Sequence, residues 1–265
     1  MWHVLCGSFS DPILLTKHYG PLIWMQGYSL EGYKVVFNNP NILSGYLNTI
    51  FYVVVGTASR LLATMIGAYV LSRKGFMFRK VLTFMMVFTM YISGGMIPTF
   101  LVVKAVGLYN TRGAIIVPSL IGTWNMIIMK TALQSVPASL EESARLDGAN
   151  DIVVLFRIIL PVVKATVAVI ALYYAVGEWN SWFSAIIYLR DTSKRPLQVW
   201  LREILLQNSS SGTAVEAVDM DVSALFLEEL IKYCTIIVAT VPILLIYPFV
   251  QKYFVTGVMM GSIKE

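Results

Sequence analysis

Charge is what this sequence lacks. Of its 265 residues only 13% are Asp, Glu, Lys or Arg, while 57% are hydrophobic; an ordinary soluble domain carries roughly 25% charged residues. So little charge cannot hold so much apolar surface in water, which excludes a soluble globular protein. Cysteine is nearly absent: Cys6 and Cys234 stand far apart, too few for a disulfide framework or a thiolate metal site. His3 and His18 are the only histidines, so metal chemistry has few ligands to draw on. No GxxxxGK[ST] loop occurs, which removes the glycine-rich phosphate cradle. No repeat of fixed period is present. The net charge of +5 is accounted for by basic residues flanking membrane spans, without nucleic acid as a partner.

What is there is length in the apolar runs. A helix crosses the ~30 Å hydrocarbon core with about 20 mainly apolar residues. Residues 42–72, 81–103, 113–129, 165–189 and 233–251 supply runs of about that length, with Arg60 and Glu178 as the only charges inside them. They predict an all-α membrane protein, embedded in the lipid bilayer, with five complete spans in one transmembrane domain over 1–265. Residues 1–6 are apolar but short, and lack the basic start of a signal peptide; they read as the end of a truncated first helix. Gly94, Gly95 and Pro98 interrupt the run 81–103 and predict a kink near Pro98.

The loop RKGFMFRK at 73–80 packs four basic residues into eight, which favours the cytoplasmic side. Residues 130–164 and the C-terminus then lie inside, and 7–41, 104–112 and 190–226 outside. The last of these contains NSSSGT at 208–213, a polar stretch expected to be flexible.

One cytoplasmic segment, PASLEESARLDGANDIVVLFRIILPVV at 137–163, breaks the apolar pattern. Pro137 favours an extended entry, and Ser139 with Glu142 has the spacing of a capping box. Gly148 is placed to end the helix in the left-handed conformation, and Asn150 to cap a second helix running from Asp151 towards Pro161. The pattern predicts helix, sharp turn, helix. Its first helix has few large apolar residues, Leu140 and Leu146 among them, so the elbow needs either a partner or solvent. Ser143 and Ala144 are small enough for close approach, and Glu141, Glu142, Arg145 and Asp147 offer charges to a rim.

Glu142-Ser143-Ala144, Asp147-Gly148-Ala149, then Phe156 and Pro161 resemble the EAA loop of ATP-binding cassette (ABC) importer permeases, with Ser143 where alanine is usual. YLNTIFYVVVGT at 46–57, SGGMIP at 93–98, GEWNSWF at 177–183, PLQVWLREI at 196–204 and QKYFVTGVMMGSIKE at 251–265 are similar to the carbohydrate branch, and within it to subunits handling polysaccharide fragments, such as aldouronate or alginate importers. The resemblance implies the ABC importer permease fold and a six-span subunit whose first helix is only partly present. It also implies a bacterial inner-membrane complex of two homologous permeases, two cytoplasmic ATPases and an extracytoplasmic solute-binding protein. The chain would be no enzyme and bind no cofactor itself, ATP and Mg²⁺ being held by the ATPases. The segment 137–161 would be the coupling loop, with Glu141, Glu142, Ser143, Ala144, Arg145, Asp147, Gly148 and Ala149 against an ATPase groove.

For a sugar path the candidates are Glu178, Trp179, Asn180 and Trp182, with Arg60 and Asn125. A charge inside a span normally faces the protein interior or a water-filled cavity, and aromatic faces beside polar groups suit carbohydrate. Equally, Glu178 can pair with a basic residue of the partner subunit, Arg60 can pair with a neighbour, line the inner cavity or snorkel, and tryptophans collect at membrane interfaces. An ion-coupled secondary carrier is the alternative class, but it calls for inverted repeats. A membrane-embedded enzyme calls for a catalytic cluster within the spans, and Arg60 and Glu178 are the only charges there.

Overall fold

The computed structural model describes residues 1–18, 20–73, 75–211, 227, 229–245 and 248, with no strand among them. The chain divides into two compact units. One comprises Met1–Ile50, Asn180–Ile186 and Arg190–Tyr247; the other comprises Phe51–Trp179, Ile187–Leu189 and Pro248–Glu265.

The first unit opens with α1 (Trp2–Ser8), α2 (Pro12–Lys17) and α3 (Glu31–Asn38). Asp11 starts α2 by accepting from the Ile13 and Leu14 amides, with Pro12 in the first helical position, where a missing N–H costs nothing. Helix α4 (Pro40–Ser72) is continuous over 33 residues, although its turn Tyr52–Gly56 is a π-helix. Among the described residues it is the one helix long and apolar enough to cross a membrane unbroken. In the first unit Asn48 donates to the Ser193 carbonyl at 2.6 Å, and Thr49 accepts from the Leu197 amide at 2.8 Å.

The other expected spans differ from single helices. Run 81–103 is α5 (Arg79–Tyr91) and α6 (Met96–Ala105), separated at 92–95. The break falls at Gly94-Gly95, close to Pro98 as expected, and Pro98 itself sits in the first turn of α6 where proline is tolerated. Run 113–129 is α7 (Gly113–Ser119) and α8 (Thr123–Gln134), bent by 52°. After α9 (Ala138–Leu146) and α10 (Asp151–Val162), a 91° bend leads into α11 (Lys164–Trp179). Run 165–189 therefore stops being one helix at Trp179 and resumes as α12 (Phe183–Tyr188). If each bent pair counts as one span, up to three spans are present among the described residues.

Helix α13 (Leu197–Ser211) follows. The stretch expected to be flexible begins inside it, since 208–211 are helical, while 212 and 213 lie outside the described residues. Residues 229–245 are helical, the rest of run 233–251 being described only at 248; the motif at 251–265 lies outside the described residues. In the second unit α4, α8, α9, α10 and α11 share one core, built on Met65, Tyr69, Met129, Leu133, Ile159 and Ile170.

Candidate functional site

The elbow is built by local grammar. Pro137 has φ −57° and ψ 133°, extended as expected, but α9 already begins at Ala138 and no side chain caps it. Ser139 is therefore inside the helix, its carbonyl accepting the Ser143 hydroxyl at 2.7 Å, and the capping box with Glu142 does not form. The far end follows the sequence. Gly148 has φ +82°; its amide donates to the Arg145 carbonyl at 3.1 Å, and the Ala149 amide to the Ala144 carbonyl at 2.9 Å. Those two bonds are a Schellman ending, and the left-handed residue it requires is a glycine. Asn150 then accepts from the Val153 amide at 2.9 Å and starts α10.

The charges of the elbow divide into two sets. Glu141 turns inward, with its side chain 14% exposed, and contacts Arg73 at the end of α4. Arg145 reaches the same carboxylate at 3.0 Å and also contacts Asp151 at the start of α10. The Tyr69 hydroxyl lies 3.5 Å from Glu141 and 3.4 Å from Asp151, and the Arg73 guanidinium stands 4.5 Å over the Tyr69 ring. Burial pulls the Arg73 pKa below the ordinary guanidinium value, yet arginine stays charged in proteins, so the adjacent carboxylate answers its desolvation. Tyr69 had no motif to announce it, and Arg73 and Asp151 were marked only as basic-loop charge and helix start. Glu142, Ser143, Asp147 and Gly148 face outward. Ala144 is buried in the chain's own core, so its small size serves internal packing. Leu146 is 89% exposed, an apolar side chain at the elbow's tip. A cleft of about 630 Å³ beside α9 is lined by Arg73, Arg79, Arg145, Glu141 and Glu142.

Within the membrane, Glu178 on α11 is 2% exposed, and its Oε1 lies 2.5 Å from Arg60 Nη2 on α4. The contact is one of charge, because neither carboxylate oxygen has a well-aligned hydrogen bond. Glu178 fits there because position 56, in the π-turn, is glycine: a Cβ would stand 2.9 Å from Oε1. Arg60 also donates to Ser119 Oγ at 2.5 Å and the Ile115 carbonyl at 3.4 Å. One helical turn further along α4, Thr64 bonds the Tyr174 hydroxyl at 2.7 Å, and Tyr174 accepts from the Gly122 amide at 3.3 Å. Arg60 and Tyr174 thus hold the two sides of the break between α7 and α8.

Trp179 is buried beside Glu178 in the second unit, whereas Asn180 and Trp182 belong to the first. Trp182 carries the Arg202 guanidinium 3.7 Å over its ring. Asn125 is half-buried on α8, and Trp124 beside it is 64% exposed.

Residues 59–192 match the family described as "Binding-protein-dependent transport system inner membrane component". The chain is 42% identical to the polygalacturonan/rhamnogalacturonan transport system permease protein YtcP of Bacillus subtilis, over 99% of this chain and 91% of that one. It is 40% identical to Protein LplC of the same organism, over 99% and 88%. Among solved structures, a bacterial ABC transporter involved in the import of the acidic polysaccharide alginate superposes with a TM-score of 0.83 at 32% identity, covering 96% of this chain and 89% of that one.

Proposed function

The chain belongs to the family of binding-protein-dependent transport system inner membrane components, and from that premise we propose that it passes an acidic oligosaccharide, a fragment of a uronate-containing polysaccharide, across the membrane. It is the permease subunit of an ATP-driven carbohydrate importer, a transport component rather than an enzyme, and works with ATPase and solute-binding proteins. Family membership sets aside the ion-coupled carrier. The substrate reading is carried by the near full-length similarity to a polygalacturonan/rhamnogalacturonan permease.

In this reading the complex holds a second homologous permease and two ATPases, and ATP and Mg²⁺ are bound by the ATPases. The elbow 137–161 and the C-terminus face the cytoplasm. Glu142, Ser143, Asp147 and Leu146 form the face offered to an ATPase groove, while Glu141, Arg145 and Asp151 tie that face to α4 and α10. Closure of the ATPases on ATP moves the elbow as a rigid body, and the tie to Arg73 tilts α4 with it, exchanging inward for outward access. Asn125, Asn180, Trp182 and Trp179 remain the sugar-path candidates. Arg60 and Glu178 serve the path through the shape they hold.

The test is uptake of a labelled oligogalacturonate into vesicles containing the purified complex, ATP and the binding protein. Absence of both a co-purifying ATPase and hydrolysis stimulated by the loaded binding protein overturns the importer reading. ATP-driven uptake of neutral oligosaccharides alone overturns only the substrate class.

A further inference from the structure

Between α5 and α8 lies a cavity of about 810 Å³ whose lining includes Arg79, Lys80 and Lys130 and no acidic residue. Lys130 is half-buried on the apolar helix α8, and its partner is a neutral one, the Thr83 hydroxyl at 3.0 Å. Among the described residues no carboxylate forms an ion pair with any of the three cations. Lys130 stands one residue past an apolar run and Arg79 and Lys80 close the basic loop, so three cations share one hollow at the cytoplasmic edge of the membrane helices, and of the three only Arg79 also borders the cleft that Glu141 and Glu142 line. The rest of the wall is apolar: Met77 and Phe84 are 82% and 68% exposed.

We propose that this cavity binds the headgroup of an anionic phospholipid, its phosphate against Lys130, Arg79 and Lys80 and its acyl chains along Phe84 and Met77. Basic pockets between membrane helices at the cytoplasmic level have the chemistry for such headgroups. An acidic oligosaccharide fits the wall less well. A sugar needs many neutral hydrogen-bond partners, and Thr83, already engaged by Lys130, is the one neutral polar side chain in the lining.

The experiment uses the purified complex from nanodiscs of phosphatidylcholine doped with phosphatidylglycerol, with bound lipid counted by native mass spectrometry after detergent exchange. Wild type retains phosphatidylglycerol in preference to phosphatidylcholine. Lys130→Gln and, separately, Lys80→Gln each weaken that retention about fivefold, at ~1 kcal/mol per basic residue near a membrane surface; Lys130→Arg restores it. Lys80 is exposed, so its variant is unaffected by folding defects. Lys104→Gln, which removes the same charge from α6 outside this cavity, leaves retention unchanged. Equal retention of both lipids, or loss with Lys104→Gln as great as with Lys130→Gln, overturns the proposal. Displacement of the lipid by inorganic phosphate or by trigalacturonate at comparable concentration also overturns it, assigning the cavity to a free anion or to the sugar.

Discussion

Arg60 and Glu178 face each other at 2.5 Å inside the membrane part of the chain, one helical turn from the glycine that makes room for the carboxylate. The arginine is the more versatile partner, because it also holds Ser119 at the end of α7 and the Ile115 carbonyl one turn before it. The pair therefore joins α4 and α11 to the edge of a helix break. Two charges buried in a chain of so little charge stabilise mainly by satisfying each other.

Removing one partner is expected to cost more than removing both. Glu178→Gln leaves a guanidinium without its counter-charge, and Arg60→Met leaves a buried carboxylate; either costs ~3–5 kcal/mol. Arg60→Met combined with Glu178→Gln recovers a large part. Thermal unfolding of the purified complex measures this, and strictly additive losses would contradict the pairing. Gly56→Ala lowers the midpoint as well, since its Cβ would sit 2.9 Å from Oε1.

Arg73 and Glu141 are expected to carry movement from the elbow to α4. Arg73→Glu sets two carboxylates against each other and lowers uptake per ATP hydrolysed by about two- to thirtyfold, the range of 0.5–2 kcal/mol in which coupling is usually tuned. The exchange Arg73→Glu with Glu141→Arg restores the ratio. A fall in hydrolysis and uptake by the same factor would assign the pair to stability alone.

Glu142 and Leu146 test the outward face. Both are exposed and away from the core, so Glu142→Ala and Leu146→Asp change the chain's own stability by no more than about 0.5 kcal/mol. Each is expected to reduce the ATPase recovered with the permease on affinity purification. Full recovery with both replaced would move the docking surface elsewhere.

The elbow was legible because it is local. A helix end needing positive φ selects glycine at 148, and an amide needing an acceptor selects Asn150. Start signals were weaker: Pro137 alone sufficed to begin α9, which drew Ser139 into the helix and dissolved the capping box. Composition located the apolar runs and, through Gly94 and Gly95, one of their breaks; residues 120–122 are as apolar as their surroundings, and Asn180 and Ser181 are too few polar groups to end a run by transfer cost alone. Backbone groups freed at such breaks are answered from elsewhere in the chain, as the Gly122 amide is by Tyr174, and a contact 52 residues away leaves no periodic trace. The same holds for Arg73 with Glu141 and Arg60 with Glu178. The pairs could be suspected from their cost, and only folding names the partners.

Gly148 separates backbone from side chain at the elbow. Its φ of +82° costs most L-residues ~1–2 kcal/mol, and an added Cβ would meet nothing within 4 Å, so sterics with neighbours play no part. Gly148→Ala and Gly148→Val are therefore expected to loosen the Schellman ending and lower ATP-driven uptake, with the β-branched valine worse, while membrane insertion stays intact. Gly148→Asn, which tolerates the left-handed region, retains most of the uptake. The order Asn above Ala above Val, measured as initial rates in vesicles at equal permease content, is the signature of a conformational requirement. Wild-type uptake with Gly148→Val would show that the elbow can be rebuilt without its turn, and that it does not have to grip as a rigid body.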